Sequence, residues 1–161
     1  MCKILLLFQY DARGRVPAVV AEAGAAAEAN GADLRVRPID SAGARDVAWA
    51  DAMAIGIDGR DEALPADTKH WLDALGFSGW RHLQRKPGCV FATLARGGDA
   101  AAACRMVARI LRSRGMEAVT PIELDVAEPA HAHDGAPLGA AFARWCRQPQ
   151  GGAPSPRWKA G

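Results

Sequence analysis

The shortest stretch with chemistry in it is Arg13-Gly14-Arg15. Two guanidinium groups flank a glycine, just after an apolar run and just before Pro17 opens a helix. A helix start presents unpaired N–H groups and the positive end of the helix dipole. Arginines there read as a grip for an anion, a phosphate above all; the plainer reading is a solvated helix start. A second stretch, Asp58-Gly59-Arg60-Asp61-Glu62, follows another apolar run. Its carboxylates suit a cation site or an acid/base pair, and a solvated acidic turn is the plainer alternative. His131-x-His133-Asp134 brings three potential metal ligands together. It stands in a long irregular segment without a partner cluster, so no metal site is expected.

The cysteines, Cys2, Cys89, Cys104 and Cys146, form no C-x-x-C pair, which argues against a zinc ribbon or a dithiol redox motif. Cys89 falls in a strand pattern and Cys104 on a helix, so buried free thiols are expected, as in a reducing cytoplasm. No nucleophile elbow with Ser, His and Asp partners is present, so a hydrolase is not indicated.

The elements that must position these residues follow from hydrophobic pattern. With 161 residues, one domain is the simplest reading. Hydrophobic residues make up 50% and charged ones 24%, as in a globular protein. A net charge of +2, without a basic patch interleaved with aromatics, gives no case for nucleic acid. No apolar run approaches the length of a membrane span, and the one at residues 4–8 is too short for a signal-peptide core.

Residues 3–9 read as a strand covered on both faces. A helix runs from Pro17 to residue 29, with Val16, Val19, Val20, Ala23 and Ala27 on one face and Asn30-Gly31 as its stop. Leu34 and Val36 alternate with Arg35 and Arg37, which suits an edge strand ended by Pro38. Residues 41–47 are weakly helical. Residues 52–57 form a third strand, and Pro65 opens a helix with Leu64, Thr68, Trp71, Leu72 and Leu75 facing the core. A connector from Gly76 carries Phe77, Trp80 and a basic run to Pro87. A strand at 89–94 and a helix at 100–114 follow, the helix with Ala103, Met106, Val107, Ile110 and Leu111 as its core face and Gly115 as its cap. The pattern ends with a strand at 116–122, an irregular segment at 123–137 and a helix at 138–147. Residues 1–147 make the domain, and the proline- and glycine-rich stretch 148–161 reads as a flexible tail. Strand and helix alternate with no hairpin signal, so the sheet is parallel and covered on both sides. No G-x-G-x-x-G follows the first strand. The expected fold is therefore α/β, three-layered, with a five-stranded parallel sheet in order 2-1-3-4-5.

These residues resemble the flavodoxin-like superfamily, and within it the tryptophan-repressor-binding-protein type of NAD(P)H:quinone oxidoreductases. The resemblance rests on Ala50-Asp51-Ala52, Ile55-Gly56, Arg60, Ala66, Lys69, Leu72-Asp73 and Leu75-Gly76. Lys86-Pro87-Gly88, Val90-Phe91, Gly97-Gly98 and Gly115-Met116 extend it, so that it spans roughly residues 3–119. It implies FMN held by three loops. Tyr10, Asp11, Arg13, Gly14, Arg15 and Val16 would supply the phosphate loop. Ile57, Asp58, Gly59 and Arg60 would lie against the ring, and Thr93, Leu94, Ala95, Arg96 and Gly97 at its edge. Asp11 stands where the family offers a hydroxyl, and Asp58, Asp61 and Glu62 fall where it offers hydroxyls and an aromatic. Tyr10 is a candidate for stacking on the ring, whereas Trp80 suits core packing. The implied activity is NAD(P)H-dependent electron transfer to a small acceptor, in a possible homodimer. The alternative is a flavin-free binding or regulatory domain of the same fold.

Overall fold

The computed structural model describes residues 1–9, 16–58, 64, 66–92, 98–122 and 136–147. Strand and helix alternate along the chain: β1 Lys3–Phe8, α1 Val16–Ala29, β2 Asp33–Pro38, α2 Ala44–Trp49, β3 Ala52–Ile57, α3 Ala66–Trp80, β4 Pro87–Ala92, α4 Gly98–Ser113, β5 Glu117–Ile122 and α5 Ala136–Arg147. A 3-10 turn at Ile39–Ser41 precedes α2, so the weakly helical stretch is two short pieces. The sheet has five strands in order β2-β1-β3-β4-β5, and every pairing is parallel. The expected topology is the observed one.

Central strands have no solvent face, and their sequence says so. In β1, Ile4 and Leu6 point to one side and Leu5 and Leu7 to the other, all buried. Ile4 and Leu6, with Ala52, Ala54, Cys89 and Phe91, pack under α1 and α5. Leu5 and Leu7, with Met53, Ile55, Ile57 and Val90, pack under α2, α3 and α4. The small Ala52 and Ala54 leave room for Phe142, which is wholly buried. Burial of this apolar surface on both faces is the main favourable term, about 25 cal/mol per Å².

Both edge strands are partly open to solvent. In β2, Arg35 bonds Asp46 at 3.0 Å and lies 4.1 Å over the Trp49 ring. In β5 the register against β4 slips at Pro87/Gly88, leaving Ala118 unpaired with φ at 49°. A bulge of this kind twists an edge away from further strand addition.

Helix ends follow the sequence signals. Gly31 N–H reaches Glu28 O at 3.1 Å and Ala32 N–H reaches Ala27 O at 2.9 Å, the paired bonds of a Schellman cap. Gly115 N–H and Met116 N–H repeat the motif on Arg112 O and Leu111 O after α4. Two expectations are corrected. The connector expected from Gly76 to Pro87 begins as helix: Gly76 (φ 58°, ψ −175°) breaks α3 and a further helical turn follows at 77–80. Met106 is 40% exposed and Cys104 takes the buried place beside Ala103 and Val107; with α4 docked at the angle that buries Ala108 and Leu111, residue 106 falls off the inner stripe.

Candidate functional site

In a parallel sheet wound in this order, α1 and α3 leave neighbouring strands toward opposite faces. The crevice lies between β1 and β3, outside their carboxyl ends. β1, β3 and β4 end side by side: Phe8 pairs with Gly56, Gly56 with Phe91, and Ile57 with Ala92. The loops leaving all three strands therefore start on one rim.

Gln9 sets the geometry of that rim. It follows the last residue of β1 and is only 6% exposed. Its N–H donates to Gly56 O at 3.1 Å, and its side-chain Oε1 accepts the N–H of Asp58 at 2.6 Å. A buried amide in an apolar setting is costly unless bonded, and here the bonding ties the exits of β1 and β3 together. Sequence reasoning assigned Gln9 only the end of a strand; the available signal was a polar residue terminating an otherwise apolar run.

Of the residues expected to bind a cofactor, Val16 is the first of α1, whose first turn carries no acidic side chain. Ile57 is wholly buried within the core under α3 and α4, so only its backbone is offered to the rim. Asp58 is half-buried beside Gln9. Tyr10, Asp11, Arg13, Gly14, Arg15, Gly59, Arg60, Thr93, Leu94, Ala95, Arg96 and Gly97 lie outside the described residues, as do Asp61, Glu62, His131, His133 and Asp134.

Trp80 is the last residue of α3, the helix that returns the chain from the carboxyl end of β3 to the amino end of β4. Its Nε1–H donates to Leu72 O at 3.0 Å, and the Arg114 guanidinium covers its ring at 3.7 Å. It has the packing role expected of it. Among the described residues no group of His, Cys, Asp or Glu could hold a metal. Cys2, Cys89 and Cys104 are buried and not in disulfides. Burial pushes the Cys89 thiol far up, so it is not a nucleophile at neutral pH. Among the described residues no helix is long and apolar enough to cross a membrane.

No family model matches the chain, and no curated protein does. Solved structures do match in fold. A flavodoxin from the domain Archaea superposes with a TM-score of 0.69 at 18% identity, over 89% of this chain and 98% of its own. Flavodoxin 2 from Bacillus cereus gives 0.68 at 18% identity, over 89% and 99%. FerB from Paracoccus denitrificans, a flavoenzyme NAD(P)H:(acceptor) oxidoreductase, gives 0.66 at 14% identity, over 91% and 97%. The fold is flavodoxin-like.

Proposed function

We propose that this chain is an FMN-binding, flavodoxin-like protein whose cofactor occupies the crevice over the ends of β1, β3 and β4. The single observation behind this reading is the convergence of three strand exits on one rim at the point where the sheet reverses its winding. The described frame fits the group: the first turn of α1 offers backbone N–H groups and has no carboxylate in it. Arg13, Gly14, Arg15 and Val16, with Tyr10 and Asp11 beside them, would hold the phosphate. Ile57, Asp58, Gly59 and Arg60 would lie along the ring, and Thr93, Leu94, Ala95, Arg96 and Gly97 at its edge. Bound FMN would supply the redox chemistry, taking up reducing equivalents from a reduced nicotinamide and passing them to a small acceptor. The protein's part is to orient the ring and shield it from water.

Titration of the purified protein with FMN, followed by quenching of flavin fluorescence, tests this. Saturable binding at micromolar FMN or tighter is expected. Absence of binding by a folded protein overturns it.

One observation favours a second reading, a flavin-free binding domain. The Asp58 N–H, on the loop that would line the ring, is already engaged by Gln9. By the resemblance, Asp11 would bring a carboxylate toward the phosphate, and like charges at close range repel by several kcal/mol when poorly solvated, on the order of 4 kcal/mol at 4 Å. Asp11→Ser separates the readings: a non-binder that becomes a binder has lost flavin by change in this loop.

A further inference from the structure

We infer that a second copy of this chain pairs with the outer edge of β2, antiparallel and about a two-fold axis at Arg35, so that the two sheets run on as one. The backbone decides which groups are available. β2 lies beside β1 in unbroken register, from Lys3 with Asp33 to Phe8 with Pro38. The Asp33 N–H donates to Cys2 O at 2.8 Å. Along a strand, the N–H and C=O of one residue turn to one side and those of the next to the other. Asp33, Arg35 and Arg37 therefore direct their backbone groups to β1, and Leu34 and Val36 turn theirs outward. β2 ends the sheet, and among the described residues no strand lies beyond it. The outward row stops at Pro38, which has no N–H and whose carbonyl accepts from Ser41 Oγ at 3.0 Å. The opposite edge offers no such row, because β5 carries Pro121 and the bulge at Ala118.

Register and charge select the partner. With the axis at Arg35, Leu34 faces Val36 of the second copy, and the two exchange both backbone hydrogen bonds. Symmetry repeats the exchange, so every outward N–H and C=O of Leu34 and Val36 is bonded. Moving the axis to Leu34 sets Val36 against Ala32, whose N–H is already held by Ala27 O at 2.9 Å. Moving it to Val36 sets Leu34 against Pro38 and Arg35 against Arg37. The register that completes the bonds also places Asp33 directly opposite Arg37 of the second copy, twice by symmetry. Both residues are exposed, and opposite charges facing across a ladder favour pairing. Arg35 meets its own copy at the axis. Each guanidinium there is neutralised by Asp46 at 3.0 Å and rests on Trp49 at 4.1 Å, on its own α2. On the other face, Leu34 and Val36 are half-buried at the margin of the apolar cluster under α1 and α5, and each would cover the open flank of the other. Edge charges usually guard a strand against any neighbour. Here they oppose an in-register parallel neighbour and match this antiparallel one.

The inference is independent of whether FMN binds. Sedimentation velocity of the native chain from about 10 μM to about 1 mM tests it, a range suited to an interface below the standard size. A reversible monomer–dimer equilibrium is expected. The Leu34 and Val36 amides should also exchange with solvent more slowly as concentration rises. Asp33→Arg and Arg37→Asp should each raise the dissociation constant of the dimer by about tenfold, because each sets like charges opposite one another. Mixing the two variants should restore association, since both charge pairs are matched only in the mixed dimer. A native chain that stays monomeric throughout overturns the inference. So does a dimer that either charge reversal leaves intact, or one in which exchange at Leu34 and Val36 is indifferent to concentration. The exchange measurement needs no variant, so it decides even where a variant does not fold.

Discussion

Gln9 and Asp58, forty-nine positions apart, are joined by a 2.6 Å bond from the Asp58 N–H to the Gln9 Oε1. The bond crosses the winding reversal of the sheet, so it fixes the separation of the two loops that would embrace a ligand. Gln9→Leu keeps the volume and removes the acceptor. The Asp58 N–H is then left without its partner, at a cost of about 1–3 kcal/mol. The melting temperature should fall by about 3–10 °C, and the Asp58 amide should exchange with solvent faster than in the native protein. Unchanged exchange at Asp58 would mean the bond holds nothing in place.

The acid limb of stability should carry the mark of Asp46. Its carboxylate is 16% exposed. Burial works to raise its pKa, but the Gly43 N–H and the Arg35 and Arg37 guanidinium groups outweigh that and hold it below the ordinary 3.8. A carboxylate with a lowered folded pKa stabilises above its unfolded value, and that contribution is lost as pH falls through the folded one. Asp46→Asn keeps an acceptor for Gly43 but gives up the charge. The variant should be less stable than the native protein by about 1 kcal/mol at pH 7. The gap should close as pH drops below 3.8 toward the lowered folded value. Denaturant unfolding between pH 2.5 and 7, about the range over which such carboxylates titrate, measures both.

How much of this was legible in the sequence follows from the range of the interactions. β1 was legible because Ile4 to Leu7 are apolar without alternation, which only a strand covered on both faces tolerates. The caps at Gly31 and Gly115 were legible because they are local. Helical period puts Met106 on the core face, but period alone does not say at what angle a helix docks, and Met106 is exposed. The role of Gln9 is not legible locally, because its partner Asp58 follows another strand and no local pattern announces a bond across the sheet. The same holds for Thr68, which the sequence places on the core face while giving no sign that its hydroxyl finds no partner among the described residues. The expected ligand residues are mostly loop residues outside the described ones, where only the resemblance speaks.

Lys86 gives a pH effect of the opposite origin. Its Nζ donates to the carbonyls of Val47 and Ala50, closing the end of α2 from across the chain. Burial lowers its pKa from 10.5, and only the Asp51 carboxylate pulls it back up. Between the lowered folded value and 10.5 the unfolded chain binds more protons than the folded one. Stability contributed by this group therefore rises with pH across that window. Lys86→Met should remove that rising component. It should also cost about 1–3 kcal/mol at pH 7, because two carbonyls lose their donor. Unfolding by urea from pH 7 to the ordinary lysine value of 10.5 is the measurement. A variant with the same pH slope as the native protein would show that Lys86 is solvated rather than bound.

Gly88 is required by close approach rather than by backbone angle. A Cβ there would stand 2.7 Å from Met116 Cε and 2.9 Å from the Met53 carbonyl oxygen. The methionine methyl can swing aside, but the carbonyl belongs to β3, which pairs with Gly88 in the middle of the sheet. Gly88→Ala should therefore force β4 away from β3, at about 1–3 kcal/mol. The contrast is Gly115→Ala. There the nearest atoms are the amide end of Gln84, an exposed side chain that can swing aside at the cost of its bond to Arg114 O, and the further obstacle is a φ of +100°. Gln84→Ala would clear the space at Gly115 without relieving that strain. For Gly88 the equivalent test is Met116→Ala, which removes one contact and leaves the other. If Met116→Ala fully restores the stability of Gly88→Ala, the backbone contact with Met53 is not what excludes a side chain. If most of the loss persists, the spacing of β3 and β4 at their amino ends is set by the missing Cβ.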